Sequence, residues 1–151
     1  MSLSIKRVMF FLATGCCGLF AIQFIPYGHN HTNPPVFAEP SWNSPETRAL
    51  VKRACFDCHS HETVWDVWYA GVAPVSWLVQ RDVNSGRKHL NFSDWKNGQR
   101  KGEHLNRIEK EVSGGGMPPI PYRLAHPEAR LPDTEKRLLI EGLKVTVKNQ
   151  H

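Results

Sequence analysis

Cys55-Phe56-Asp57-Cys58-His59 is the stretch of sequence that decides the fold of this chain. Two thiols separated by two residues can each add to one of the two vinyl groups of a single haem, and the histidine that follows can give its imidazole to the iron. Each residue type therefore has a geometric task. The pentapeptide predicts one covalently attached haem of c type, bound through Cys55 and Cys58, with His59 as an iron ligand.

Two other kinds of site use the same cysteine spacing. A redox-active dithiol has its Cys-x-x-Cys motif near a βαβ unit, which the sequence does not indicate. A structural zinc site needs four ligands, so His61 would have to join the three ligands of the motif within seven residues. The remaining cysteines, Cys16 and Cys17, lie in an apolar run. The haem interpretation is therefore favoured over both alternatives.

The sequence also offers a second iron ligand. Of the three methionines, only Met117 lies outside the N-terminal segment, and it follows three glycines and precedes two prolines. Glycine lets the backbone approach a flat ring closely, and Pro118 favours an extended conformation of the residue before it. A thioether on such a stiff loop suits low-spin haem iron, and histidine–methionine ligation raises the reduction potential. We predict that Met117 is the second ligand; the alternative is that it fills the core.

Other side chains compete for roles at the haem. His61 is two residues from His59, so it should point away from an iron that His59 holds. Three histidines are further candidate ligands, although each alone is more often a surface or core residue: His89, His104 and His126. Three arginines are candidates for pairing with the haem propionates, although a solvated helix face is the default: Arg81, Arg87 and Arg123.

Residues 1–25 are predicted to form a membrane segment. Lys6 and Arg7 precede eighteen uncharged residues, Val8 to Ile25, which suffices for a helix that crosses a bilayer. Since positive charge lies only on the N-terminal side, the N-terminus should stay in the cytoplasm and the rest should reach the periplasm. We favour an uncleaved, single-pass signal anchor in a bacterial inner membrane; a cleaved signal peptide and a lipoprotein acylated on Cys16 are the alternatives.

Residues 26–43 are predicted to be a proline-rich linker, and residues 44–151 to be the folded haem domain. The linker contains His29 and His31, which are expected to be solvated and without a metal. Ser44-Pro45-Glu46 combines a helix cap, a proline at the first helical position and an acid near the positive end of the dipole. The helix that starts there should run into the cysteine motif. Three side chains should form its buried face: Leu50, Val51 and Ala54.

Three more helices are predicted. Ala73-Pro74 should start one that ends at Gly86, with three inward side chains: Trp77, Leu78 and Val83. Ser93 should cap a second helix. The sequence pattern supports this helix best over residues 103–112, and Gly114 should end it. Its apolar residues recur at i, i+3 and i+7: Leu105, Ile108 and Val112. The last should run from about Asp133 to Lys148, with Leu139 and Leu143 inward.

No strand pattern of convincing length occurs in the sequence. We therefore predict an all-α fold, in which a small cytochrome c-like helical domain with long loops surrounds one haem. An N-terminal transmembrane helix precedes this domain.

These residues resemble a known family, the small bacterial haem-binding domain proteins of cytochrome c type with an N-terminal apolar segment. The resemblance covers about Pro45 to Gly142. The matching stretches are Cys55-Phe56-Asp57-Cys58-His59-Ser60, Val72-Ala73-Pro74-Val75-Ser76-Trp77-Leu78-Val79, Leu90-Asn91-Phe92-Ser93-Asp94-Trp95, Met117-Pro118-Pro119 and His126-Pro127-Glu128-Ala129-Arg130-Leu131. Such proteins often open the last helix with Ser or Thr, where this chain has Pro132. The resemblance implies a haem-binding role and supplies no reaction.

The charge of the chain gives little reason to expect a nucleic-acid partner. The formal net charge is +5, but without Lys6 and Arg7 there are 17 basic residues against 14 acidic ones. Two haem propionates would lower the resulting +3 to about +1. The basic pI is therefore weak evidence for binding to nucleic acid.

The favoured function is one-electron transfer by a periplasmic, membrane-anchored c-type cytochrome. Its partners would be redox proteins or quinol-linked complexes, and it would be an electron carrier rather than an enzyme, with no catalytic residue. One alternative is a haem-based peroxidase or a gas or redox sensor, in which Met117 leaves the iron. Another is an interaction module in which haem mainly completes the hydrophobic core, since only about 108 residues follow the linker.

Overall fold

The computed structural model describes residues 3–95 and 101–149. Within these ranges it contains no β-strand, apart from a single bridge between Ala38 and Asp94. Six α-helices are found there: Leu3–Ala21 (α1), Pro45–His59 (α2), Val75–His89 (α3), Lys101–Ser113 (α4), Ile120–Ala125 (α5) and Asp133–Lys148 (α6). Three short 3-10 helices accompany them: Ile22–Phe24, Trp68–Gly71 and Pro127–Ala129. The prediction of an all-α fold is confirmed.

The chain divides into two compact units. The first comprises Met1–Thr32 and Val64–Asp82, and the second comprises Asn33–Thr63 and Val83–His151. The first contains Ser4–Phe24, a helical stretch of 21 residues that is long and apolar enough to cross a membrane. The second contains the whole cysteine motif, together with the loop of Met117.

Helix α2 begins and packs as predicted. Ser44 is extended, with φ of −154°, and its hydroxyl accepts a hydrogen bond from the backbone N–H of Thr47 at 3.2 Å. The inward face carries the expected side chains: Leu50, Val51 and Ala54. Since α2 ends at His59, the cysteine motif forms its last turns.

Helix α3 differs from its prediction in two respects. It continues to His89, so Gly86 lies inside the helix instead of ending it. A Cβ atom on Gly86 would lie 2.2 Å from the carbonyl oxygen of Cys58, so this glycine serves close packing of α3 against α2. Leu78, which was predicted to face inward, is 56% exposed, whereas Val83 is buried. Val83 lies five positions after Leu78, a step that turns a helix by roughly 140° and puts the two side chains on different faces.

Ser93 does not cap a helix, because Asp94 and Trp95, the next two residues, are not helical. Ser93 is buried, and its hydroxyl accepts a hydrogen bond from the backbone N–H of His61 at 2.9 Å. Its carbonyl accepts two more, from the N–H groups of Phe37 and Ala38, at 2.9 and 3.1 Å. Backbone N–H groups outside helices and strands need acceptors of this kind, and Ser93 supplies two, its hydroxyl oxygen and its carbonyl oxygen.

The predicted apolar faces of α4 and α6, and the predicted bounds of α6, are confirmed. The three apolar residues of α4 pack against the core, and Gly114 follows its last residue. Helix α6 spans the predicted Asp133–Lys148 with Leu139 and Leu143 buried. Pro132 caps α6 without any side-chain hydrogen bond, while the Asp133 carboxylate accepts a hydrogen bond from Lys136 at 2.9 Å.

Aromatic side chains join the cysteine motif to the core of the second unit. Phe56, inside the motif, is 2% exposed and stacks on Phe92, with ring centroids 5.8 Å apart. Phe92 in turn stacks on Trp95 at 5.8 Å and packs against Trp42 at 5.6 Å. The motif is therefore held by a packed aromatic cluster and not by a surface loop.

Candidate functional site

The two cysteines of the motif lie on one side of α2. They are three residues apart, a spacing that puts side chains on the same helical face. Both are partly buried free thiols. Burial, with a smaller contribution from Cys58, raises the pKa of the Cys55 thiol to about 12. Cys55 is therefore a neutral thiol at pH 7.

His59 is the last residue of α2, and its ring has a defined orientation. Its Nδ1 atom lies 3.0 Å from the carbonyl oxygen of Leu90. Since a carbonyl only accepts, Nδ1 carries the proton and Nε2 keeps a lone pair. Burial lowers the pKa of His59, and backbone hydrogen bonds to Leu90 and Gly86 oppose this in part. The neutral ring thus has one nitrogen able to coordinate a metal.

Arg87, on α3, fixes the backbone that follows the motif. Its Nε donates to the carbonyl of Ser60 at 2.8 Å, and Nη2 donates to Asn33 Oδ1 and Thr63 Oγ1 at 2.8 and 2.9 Å. The default interpretation, an arginine on a solvated helix face, is therefore wrong for this residue. Two nitrogens of its guanidinium donate to three protein acceptors.

Met117 lies just after α4, in a loop with a defined backbone. Its N–H donates to the carbonyl of Glu111 at 3.1 Å, and Gly115 has φ of +74°, which L-residues rarely adopt. The Met117 side chain is 40% exposed, so the alternative in which it fills the core is wrong. Its role as an iron ligand remains a prediction.

Tyr122, on α5, is a site residue that no sequence pattern indicates. Its hydroxyl donates to the Asp57 carboxylate, between the two cysteines, at 2.6 Å. Burial and this hydrogen bond raise the pKa of Tyr122 above its ordinary value, so the phenol stays protonated. The bond joins positions 65 residues apart and ties α5, which follows the Met117 loop, to the end of α2.

Three of the four competing histidines have hydrogen-bond partners of their own: His61, His89 and His126. In His61, Nδ1 donates to the carbonyl of Pro35 at 2.7 Å and Nε2 accepts from the Asn91 amide at 2.8 Å, so both ring nitrogens are engaged. The rings of His89 and His126 bond neighbours within four residues, at 2.8 and 2.9 Å. His89 resembles His59 in that its Nδ1 lies next to a backbone carbonyl, but His89 is exposed on α3, whereas His59 is partly buried at the end of the cysteine motif.

The remaining candidates contribute less. Arg123 Nη2 donates to the carbonyl of Gly115 at 3.2 Å, whereas its Nε is buried without a hydrogen-bond partner among the described atoms. Arg81 is exposed on α3. His104 lies outside the residues whose side chains the structure describes. In the linker, the His31 ring stacks on Trp65, with centroids 4.8 Å apart.

The residues of the second unit fit a haem. Two thiols and an imidazole lone pair are the donor set of covalent attachment and axial ligation. A buried Arg123 Nε without a partner is an atom that a propionate would satisfy. The loop and α5 expose apolar side chains that a porphyrin face would cover: Met117 at 40%, Ile120 at 65% and Leu124 at 70%. Within the described residues no three His, Cys, Asp or Glu side chains form a metal cluster, so the zinc alternative gains no support.

Comparison with known proteins gives one positive finding. A family model described as a haem-binding domain matches residues 17–145, a range that includes the cysteine motif and Met117. No curated protein matches the chain, and no solved structure does.

Proposed function

Since the chain belongs to the haem-binding domain family, we propose that it is a membrane-anchored c-type cytochrome that transfers single electrons on the periplasmic side. Haem binding follows from the family itself. The proposal of a covalently bound, electron-transferring haem rests mainly on the last turns of α2. There, two free thiols precede a neutral imidazole that has its lone pair on Nε2. When bound, the haem iron supplies a centre that gains and loses one electron.

The cysteine thiols would make the attachment covalent. Each S–H would add across one vinyl group, so that sulfur bonds to one vinyl carbon and hydrogen to the other, and nothing is released. Cys55 and Cys58 lie on one helical face, as a single porphyrin edge requires. His59 would coordinate through Nε2, because the Leu90 carbonyl holds its other nitrogen.

Met117 is the proposed second ligand. Its backbone is bonded to Glu111 on one side, and the helix that follows is bonded to Asp57 through Tyr122 on the other. A loop held at both ends keeps its side chain in one place, which suits an electron carrier because oxidation and reduction then need little rearrangement of the protein.

Covalent attachment is tested on the full chain, made in a host that matures c-type cytochromes. We expect a mass equal to the chain plus one haem, and a pyridine haemochrome spectrum of the two-thioether type. Cys55→Ser and Cys58→Ser should each give the one-thioether spectrum or lose the haem. Colourless protein with the mass of the bare chain would contradict the proposal.

Iron ligation is tested with Met117→Ala. The oxidised wild type should show low-spin haem with the long-wavelength thioether-to-iron charge-transfer band. The variant should lose that band, and its reduction potential should fall. Met9→Ala, in α1, is the matched control and should leave both unchanged. High-spin iron in the resting wild type, with rapid binding of carbon monoxide or peroxide, would instead favour the peroxidase or sensor function.

A further inference from the structure

In the first unit, the end of the apolar helical stretch is bonded to a distant part of the chain. The Gln23 amide pairs with the backbone of Ala73: its Nε2 donates to the Ala73 carbonyl at 3.0 Å, and the Ala73 N–H donates to its Oε1 at 3.0 Å. The 21 residues of Ser4–Phe24 are about 31 Å long as a helix, close to the ~30 Å hydrocarbon core of a bilayer. Gln23 is therefore at the outer end of the stretch, where water and headgroups begin.

Two further contacts hold residues 65–76, which include Ala73, to the residues that follow the apolar helix. Gly28, with φ of +84°, approaches Ser76 so closely that a Cβ atom would lie 2.8 Å from its carbonyl oxygen. His31 Nε2 lies 3.1 Å from the carbonyl of Ala70, and its ring is parallel to that of Trp65. Three contacts within nine residues thus fix residues 65–76 beside the end of the helix.

The segment held in this way exposes apolar side chains. Trp68, on the 3-10 helix, is 83% exposed, although tryptophan is usually well buried in a soluble protein. Four other apolar side chains between Val64 and Leu78 are also exposed: Val64 at 60%, Val72 at 44%, Val75 at 42% and Leu78 at 56%. Between Val64 and Gln80 the sequence has one charged residue, Asp66, so little charge would need desolvation if this face left water.

We propose that these five side chains, the interfacial surface, lie in the headgroup and upper acyl region of the bilayer that Ser4–Phe24 crosses. The partner is a phospholipid surface, because the contacts of Gln23, Gly28 and His31 place the surface next to the end of the span. Tryptophan is enriched at that depth, where its ring is among apolar groups and its N–H is near water. The inference rests on the proposed membrane anchor.

The test uses the full haem-loaded chain in phospholipid vesicles, with one photoreactive benzoylphenylalanine per variant. The probe replaces Trp68, Phe11 within the span, or Leu138, an apolar residue of the second unit that is 63% exposed. After illumination, lipid adducts are counted by mass spectrometry. We expect the yield of lipid adducts at position 68 to be comparable to the yield at position 11, differing by no more than severalfold. It should exceed the yield at position 138 at least severalfold. Adding Gln23→Ala should lower the yield at 68 severalfold and leave that at 11 unchanged.

The yields at positions 11 and 138 distinguish failure of the interfacial surface from failure of the membrane anchor. Lipid adducts at 11 with none at 68 above the level at 138 would overturn the interfacial surface and leave the anchor intact. An absence of lipid adducts at 11 would overturn the anchor itself, and this inference with it. Adducts of position 68 with a protein instead of phospholipid, in native membranes, would overturn the lipid assignment.

Discussion

At the scale of single residues, the polar groups around the cysteine motif have specific partners. The Leu90 carbonyl sets the tautomer of His59, and the Thr63 hydroxyl donates to the Asp57 carbonyl at 2.7 Å. The Asp57 carboxylate accepts from Tyr122. These contacts give the side chains and backbone of the motif defined orientations, which is what precise ligation of an iron would require.

Tyr122→Phe removes the hydrogen bond between α5 and the motif. Asp57 would then lose a charge-assisted partner, and we expect a loss of roughly 1–3 kcal/mol in the free energy of unfolding. If the bond also positions the Met117 loop, the thioether-to-iron charge-transfer band should weaken and the reduction potential should fall. Tyr27→Phe, at a tyrosine that is 47% exposed, should change neither spectrum nor stability. An unchanged band in a measurably destabilised Tyr122→Phe would limit Tyr122 to a structural role.

Glu39→Gln tests an ion pair of the second unit. The Glu39 carboxylate accepts two hydrogen bonds from Arg48, at 2.7 and 2.8 Å, and one from Trp42 at 2.7 Å. The bond to Arg48 is the main cause that lowers the pKa of Glu39 below 4.5. A carboxyl whose pKa is lowered by folding stabilises the protein above its unfolded pKa, and this contribution is lost as the pH falls through the folded pKa.

We therefore expect Glu39→Gln to cost about 1 kcal/mol at pH 7, and the difference from wild type to shrink below pH 4.5. Chemical denaturation followed by circular dichroism, repeated from pH 7 down to pH 3, measures it. Glu141→Gln is the control, since Glu141 is 69% exposed and pairs only with Lys144 among the described residues. A difference that stays constant across the titration would show that charge is not the cause.

At the scale of elements, the close approach of α3 to α2 depends on one glycine. Gly86→Ala would place a methyl group 2.2 Å from the Cys58 carbonyl oxygen, which is backbone and cannot rotate away. The two helices must separate, so we expect a loss of roughly 1–3 kcal/mol in stability and less haem per chain, measured by haemochrome absorbance. Gly71→Ala, where a Cβ atom meets nothing within 4 Å, should leave both near wild type. Equal haem content in both variants would contradict this account.

The same glycine shows what the sequence could and could not predict about the elements. The starts of α2 and α6 and the end of α4 depend on local residues such as Ser44 and Gly114, and these were predicted correctly. Gly86 and Ser93 were interpreted as local stop and cap signals, but their roles depend on contacts with Cys58 and His61, about 30 residues away. Tyr122 could not be identified for the same reason: its partner is distant in the sequence.

At the scale of the whole molecule, the predicted membrane segment and the predicted haem-binding residues occupy separate parts of the sequence. The first 25 residues contain the apolar stretch and only two charges, while the cysteine motif and Met117 lie far beyond it. Without Lys6 and Arg7, and with two haem propionates, the net charge would be about +1, so the proposed electron exchange should depend only weakly on salt. Docking would then depend on shape and apolar contact more than on long-range steering.

Reversing the two N-terminal charges, with Lys6→Glu and Arg7→Glu, tests the proposed orientation. If positive charge keeps the N-terminus in the cytoplasm, the double variant should export fewer chains. Haem of c type is attached outside the cytoplasm, so haem per polypeptide should fall in proportion, as measured by haemochrome absorbance and immunoblot of the membrane fraction.

The control variant combines Arg107→Glu with Lys110→Glu, at exposed positions of α4, and makes the same change in net charge. This control should keep its haem content, because Arg107 and Lys110 come about 100 residues after Lys6 and Arg7 in the sequence and do not flank the apolar stretch. Equal loss in both variants would mean that net charge, and not its position, controls maturation.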